Sequence, residues 1–229
     1  IQGERSNIEK ILLTASGGPF LNSSIEEIRK ASLKEALNHP RWKMGAKVTI
    51  DSASMMNKGF EMIEAKWLFD ISPDKIEIVV HPESIIHSMV QFEDGSVMAQ
   101  LSNPDMRLPI QYALSYPYRL PLNTKRLDFS KIGALHFQSP DFQKFPALRI
   151  AYESIKKGGN IPCAMNSANE VAVQALRDGI IAFWQIPLLI ERCLEKCHFI
   201  QNPTLDDIYS TDFESKKISQ ELVKNLYKW

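Results

Sequence analysis

The densest group of chemistry-bearing side chains lies in Asp51–Glu64, which reads DSASMMNKGFEMIE. Ser52, Ser54, Asn57, Lys58, Glu61 and Glu64 follow one another at spacings that a helix would place close together. At about 100° per residue, with Asn57 at zero, Glu61 falls near +40° and Glu64 near −20°. Lys58, near +100°, stands beside that stripe. The same wheel predicts that the helix packs on Met56, Phe60, Ile63 and Trp67. A helix start offers backbone N–H groups and partial positive charge, which suit a phosphate. Lys58 would add a full charge, and the hydroxyls and amide oriented donors. One turn later Glu61 could hold Mg²⁺ or Mn²⁺, which take hard oxygen ligands. Each residue also has a plainer reading. Ser54 serves equally as an N-cap, and Lys58, Glu61 and Glu64 serve as a solvated face with i,i+3 pairing.

Three further segments are candidates. In Ser16-Gly17-Gly18-Pro19-Phe20 the glycines would let backbone N–H groups approach an anion, or simply make a loop. In His39-Pro40-Arg41-Trp42-Lys43-Met44-Gly45 a tryptophan sits in a polar, Pro/Gly-bounded loop, which suits either a lid over a ligand or a loop anchor. His81 and His87, six residues apart, are a weak metal signal and read better as hydrogen-bonded structural histidines. Met106 and Met165 on their own look like core fillers.

The elements that must position these groups follow from pattern. Ile11–Thr14 reads as a buried strand, Ser24–Leu37 as a helix, His39–Lys47 as loop, and Val48–Ile50 as a strand feeding a helix over Met55–Phe69. Ile76–Val80 is β-branched and reads as a strand. Asp94-Gly95 predicts a two-residue hairpin turn. That turn pairs Phe92 with Val97 and Val90 with Ala99, and leaves Met89, Gln91, Met98 and Gln100 on a semi-polar face. Pro104–Leu114 reads as a helix and Pro117–Pro140 as a Pro-punctuated connection. Helical periods then run over 147–157, 166–177, 187–197 and 215–227. The fold class predicted is α+β: a mixed α/β domain with a β-sheet and flanking helices, then a small all-α helical bundle. The expected division is 1–117, with a flap over 16–46, a linker over 118–141, and a C-terminal helical domain over 142–229.

Composition bounds the function. With 229 residues, 44% apolar and 24% charged, the chain has the balance of a folded protein. Lys+Arg and Asp+Glu both number 27, so no net field draws nucleic acid or an anionic membrane. The longest apolar stretch, Ile180–Ile190, is about half a membrane span and holds Gln185 and Pro187. Three cysteines without zinc-type spacing suit a reducing, cytoplasmic setting. The first residue is Ile rather than Met, and the expectation is that sequence precedes it.

Taken together, LLTASGGPF (12–20), HPRWKMG (39–45), DSASMMNKGFEMIEAKW (51–67), HPESIIHSMVQFEDGSVMAQLSNPDMR (81–107) and NSANEVAV (166–173) resemble the 1-deoxy-D-xylulose 5-phosphate reductoisomerase family. The resemblance implies an NADPH- and divalent-metal-dependent (Mg or Mn) enzyme of non-mevalonate isoprenoid synthesis. It would rearrange and reduce 1-deoxy-D-xylulose 5-phosphate to 2-C-methyl-D-erythritol 4-phosphate, and would form a homodimer. It further implies that Ser16, His39, Ser52, Asn57 and Lys58 bind the substrate phosphate. Glu61 would ligate metal and contact substrate, Trp42 would ride the flap, and Met44, Gly45 and Met106 would lie by the nicotinamide. Glu64 and His87 would support the site. The family's dinucleotide-binding loop, two further acidic ligands and a catalytic lysine have no counterpart here: Glu4 and Glu9 do not stand in the acidic motif. These 229 residues alone are therefore expected not to oxidise NADPH. Two alternatives stand beside this reading. One is an assembly module that dimerises through the Met89/Gln91/Met98/Gln100 face or an edge strand. The other is a reductase for another sugar phosphate.

Overall fold

The computed structural model describes residues 7–42 and 44–225. Glu4 and the predicted helix end at Tyr227 lie outside them. In chain order the elements are β1 (Ile8–Ala15), α1 (Ile25–Arg29), α2 (Leu33–Ala36), α3 (Ala46–Ala53), α4 (Met56–Phe69), β2 (Ile76–Val80), β3 (Ile86–Phe92) and β4 (Val97–Leu101). There follow α5 (Arg107–Ser115), α6 (Phe129–Ile132), α7 (Pro146–Lys157), α8 (Ile161–Arg177), α9 (Gln185–Lys196) and α10 (Leu205–Lys224). The chain is α+β, with strands only in its first half among the described residues.

The contacts group into two compact units that do not follow chain order. Among the described residues, one holds those up to Ser16 together with Lys75–Ser139. The other holds those of Gly17–Asp74 and those from Pro140 on. This grouping differs from a division in chain order at 117 and 141. The reason is a crossover: β1 and β2 are parallel neighbours, so the chain between them must leave the sheet and return.

The first unit is a mixed sheet in the order β2-β1-β3-β4. β1 is a central strand, and its Ile11–Ala15 run is buried on both faces, as a continuous apolar run requires. The hairpin differs from the expected one. Gly95, at φ +83, takes the left-handed position after a turn in which its amide donates to the Phe92 carbonyl. The Phe92 amide then donates to Ser96 O, so three residues form the loop instead of two. Asp94 completes the turn by accepting from the Ser96 amide and hydroxyl at 2.8 and 2.5 Å. The register therefore slips by one. Val90 faces Met98, Met89 faces Ala99 and Gln91 faces Val97. The predicted Met89/Gln91/Met98/Gln100 face does not exist, because a one-residue slip sends a strand's side chains to the opposite face. β4 is an exposed edge strand, and α5 has no buried residue.

His81 is wholly buried in this unit. Its Nε2 accepts from the Ile85 amide at 3.2 Å, which leaves the proton on Nδ1 to donate to the His136 carbonyl at 2.9 Å. It is a structural histidine, as expected. His136 in turn bonds Glu83 at 2.6 Å. Burial raises the Glu83 carboxyl, but these hydrogen bonds outweigh it and hold Glu83 below its usual range.

The second unit is helical. Ser24 and Ser32 each close a full capping box, with Glu27 and Glu35, which splits the predicted 24–37 helix into α1 and α2. The predicted strand Val48–Ile50 is instead part of helix α3. Its β-branched residues suggested a strand, but Thr49 and Ile50 bury with Ala53 at i,i+4 and i,i+3 spacing while Val48 stays exposed. In α4 the buried row is Met56, Gly59, Met62 and Ala65, not Met56/Phe60/Ile63/Trp67; Trp67 is 72% exposed. The rotation comes from Gly59. A Cβ there would stand 2.4 Å from the Ala151 Cβ on α7, so its missing side chain lets α7 come close. Helices α7 to α10 carry the apolar core of this unit, with Leu148, Met165, Ile186, Leu189 and Ile190 fully buried.

Candidate functional site

The corner between α3 and α4 carries a polar cluster. Ser54 caps α3, and Met55 then adopts left-handed backbone, φ 62, as the residue before α4. No side chain of that cap residue bonds the helix start. The Ser54 hydroxyl donates to Asp51 O at 3.2 Å and accepts from the Met56 amide at 3.3 Å. Ser54 thus ties the two helices together rather than serving as the N-cap itself. The Met55 amide reaches back to Ser52 O at 3.2 Å.

One turn into α4, Glu61 accepts from both neighbours on the polar stripe. Asn57 Nδ2 donates to its Oε1 at 2.8 Å and Lys58 Nζ to its Oε2 at 2.5 Å. The Lys58 side chain is 13% exposed and that of Glu61 37%. The predicted i,i+3 pairing is therefore real, and it also gathers an ammonium, an amide and a carboxylate beside a helix start. The stripe lies opposite the buried Gly59/Met62/Ala65 row, which leaves it open on its own side. Glu64, further along α4, is exposed.

The Gly17-Gly18 loop meets this corner. A Cβ on Gly18, at φ +66, would stand 2.7 Å from Ser52 O and 3.2 Å from the Ala53 Cα. Close approach to the corner is thus why glycine stands there, independently of any anion.

His39, Trp42, Met44 and Gly45 lie on the loop leading into α3, and Gly45 is its N-cap residue. His39 Nδ1 accepts from the Trp42 amide at 2.9 Å and from the Arg41 amide at 3.1 Å. Burial holds the His39 imidazole below its usual pKa. The neutral ring is the one this turn needs, because protonated Nδ1 cannot accept. Above pH ~6.5 the ring is neutral folded and unfolded. Below that the unfolded loop takes the proton first, so the turn loses stability as pH falls. An NMR titration should give His39 a midpoint below 6.5; a midpoint at or above that value contradicts the arrangement.

Ser16, His87 and Met106 belong to the sheet-bearing unit. Ser16 follows β1, His87 Nε2 bonds Ser102 O at 3.1 Å, and Met106 precedes α5 with 56% exposure. A cleft of about 210 Å³ in the helical unit, between α1, α7 and α9, is lined by Ser54 and by none of the other predicted site residues. The three cysteines are free thiols pushed up by burial, which argues against a nucleophilic role.

For a metal, the described residues contain no group of three His, Cys, Asp or Glu placed to hold one. Glu61 offers one carboxylate, which fits an ion that keeps waters and takes substrate oxygens but does not make a full site. Among the described residues no helix is long and apolar enough to cross a membrane.

Sequence reasoning passed over Asp51, Lys47 and Asn169. Asp51, 2% exposed, accepts from Lys47 Nζ at 2.7 Å and from Asn169 Nδ2 at 2.8 Å. The signal was an asparagine in the apolar row Met165, Ala168, Ala172, Val173 and Leu176 of α8.

Fold and corner together define an α+β chain with a polar helix junction. Residues 101–218 match the DXP reductoisomerase C-terminal domain, and residues 1–69 match the 1-deoxy-D-xylulose 5-phosphate reductoisomerase C-terminal domain. The chain is 55% identical over 224 residues to 1-deoxy-D-xylulose 5-phosphate reductoisomerase of Bacteroides fragilis, covering 97% of this chain and 58% of that protein. It is 52% identical over 220 residues to the Acetivibrio thermocellus enzyme of the same name, covering 96% and 58%. A crystal structure of DOX-P reductoisomerase with NADPH, fosmidomycin and magnesium superposes with a TM-score of 0.92 at 41% identity, covering 96% of this chain and 56% of that one. The Zymomonas mobilis enzyme with NADPH gives 0.88 at 44%, with the same coverage. The chain belongs to the 1-deoxy-D-xylulose 5-phosphate reductoisomerase family, and it spans somewhat over half the length of these relatives.

Proposed function

We propose that this chain supplies the substrate-phosphate corner, one metal-ligating carboxylate and the flap of an NADPH-dependent 1-deoxy-D-xylulose 5-phosphate reductoisomerase. The observation that carries the reading is the convergence of Asn57 and Lys58 on Glu61 beside the α4 start. When a phosphate enters, Lys58 and Asn57 can turn from Glu61 to its oxygens, with Ser52 as a further donor and His39 as the remaining candidate in this unit. Glu61, released from its two donors, is then free to ligate a divalent ion, whose chemistry is to polarise substrate oxygens. Trp42 on the flap would exclude water, with Met44 and Gly45 beside the nicotinamide and Glu64 in support. Binding of phosphate and release of Glu61 are thereby coupled through the same two side chains.

The test is a calorimetric titration of 1-deoxy-D-xylulose 5-phosphate with and without Mg²⁺. Mg²⁺ should tighten binding, and Glu61→Gln should abolish that gain while leaving phosphate binding in place. A gain that survives Glu61→Gln removes the metal assignment. No binding in either condition removes the substrate reading.

A further inference from the structure

Asp51 is a buried carboxylate one residue before Ser52, and three groups hold it. Lys47 Nζ sits on Oδ2 at 2.7 Å, Asn169 Nδ2 on Oδ1 at 2.8 Å, and the Ser54 hydroxyl on its backbone carbonyl at 3.2 Å. Lys47 also lies over the Phe60 ring of α4, 5.1 Å from its centroid. The set therefore spans α8, α3 and α4. Lys47 is 40% exposed and Asn169 wholly buried, so the link to α8 is the dry half of the arrangement. The Asn169 Oδ1 has no partner among the described residues. A buried carboxylate beside a half-satisfied amide is poor stabilisation, since well-packed apolar residues in such places are often as stable or more so. What the arrangement does supply is position. A carboxylate held at both oxygens fixes the end of α3, and with it Ser52 and the left-handed step at Met55 that aims α4.

We infer that Asn169 is a positioning residue for phosphate binding, acting through Asp51 to set the Ser52–Lys58 corner. The inference rests on the proposed sugar-phosphate reading of that corner. Asn169→Asp tests it with almost no change of shape. Its carboxylate would face that of Asp51, with Lys47 the charged group opposite both. At pH 8 the two would repel. Near pH 5.5 a shared proton would restore a donor between them.

In the full chain, 1-deoxy-D-xylulose 5-phosphate affinity should fall roughly ten- to a hundredfold in Asn169→Asp at pH 8, the range for a hydrogen bond to a charged group. Against the parent at the same pH, the loss should shrink to about threefold near pH 5.5, as one shared proton would allow. Asn169→Ala should lose affinity at both pH values alike. Amide exchange should quicken at Ser52–Lys58 in both variants and stay unchanged in α9 and α10. Parent-like affinity of Asn169→Asp at pH 8, or exchange that quickens throughout the helical unit, overturns the inference. If the parent itself binds no sugar phosphate, the reading of the site fails. The exchange pattern then still decides whether Asn169 sets the corner.

Discussion

Gly18→Ala should destabilise the protein by about 2–5 kcal/mol and remove most of its sugar-phosphate affinity. Two costs add. A non-glycine residue at the observed φ of +66 carries about 1–2 kcal/mol of backbone strain. The new methyl would also sit 2.7 Å from Ser52 O, and forcing an atom into such a contact costs about 1–3 kcal/mol. The contacted atom is backbone, so it cannot swing aside as the end of a long side chain would. It is also the carbonyl that accepts the Met55 amide and so holds the left-handed step before α4. Relief of the clash must displace the corner that presents Ser52, Asn57 and Lys58. Chemical denaturation and ligand titration on the same variant check both halves. A variant within 0.5 kcal/mol of the parent, roughly the scatter of neutral surface changes, would show that the loop is not seated on the corner.

Lys58→Met should weaken sugar-phosphate binding about ten- to a hundredfold with little change in thermal stability. The affinity figure is that of one hydrogen bond between charged groups, about 1.5–3 kcal/mol. Stability should hold because methionine keeps the apolar stem of a side chain that is only 13% exposed. The ion pair it removes reaches a carboxylate that is 37% exposed, and water can replace the ammonium there. Lys58→Arg should not restore full affinity, since a planar guanidinium cannot occupy a point-charge site. Equal affinities in parent and Lys58→Met, measured at the same ionic strength, would take Lys58 out of the phosphate site.

Much of the corner was legible. The helix period placed Asn57, Glu61 and Glu64 on one stripe, and that stripe is the open side of α4. What failed were judgements that depend on a neighbour. The buried row of α4 was misassigned because Gly59 carries no hydrophobic signal, yet its bareness is what α7 packs on. The 48–50 strand was misread because β-branched residues suit a helix face as well once that face is buried. The hairpin slipped by one because Asp-Gly also serves in a three-residue loop, where glycine fills the left-handed position.

By itself the sequence determined the α+β class, the order of most helices and strands, the structural role of His81 and the i,i+3 pairing of Lys58 with Glu61. These depend on composition and on periods within a single segment, which chain connectivity preserves. Only the tertiary structure decided which units the chain forms, which face of α4 is buried, why Gly18 is a glycine, and that Asn169 reaches Asp51 across more than a hundred residues. Those depend on what lies opposite a residue in space. A buried polar atom or a missing Cβ acquires meaning only from the group brought against it.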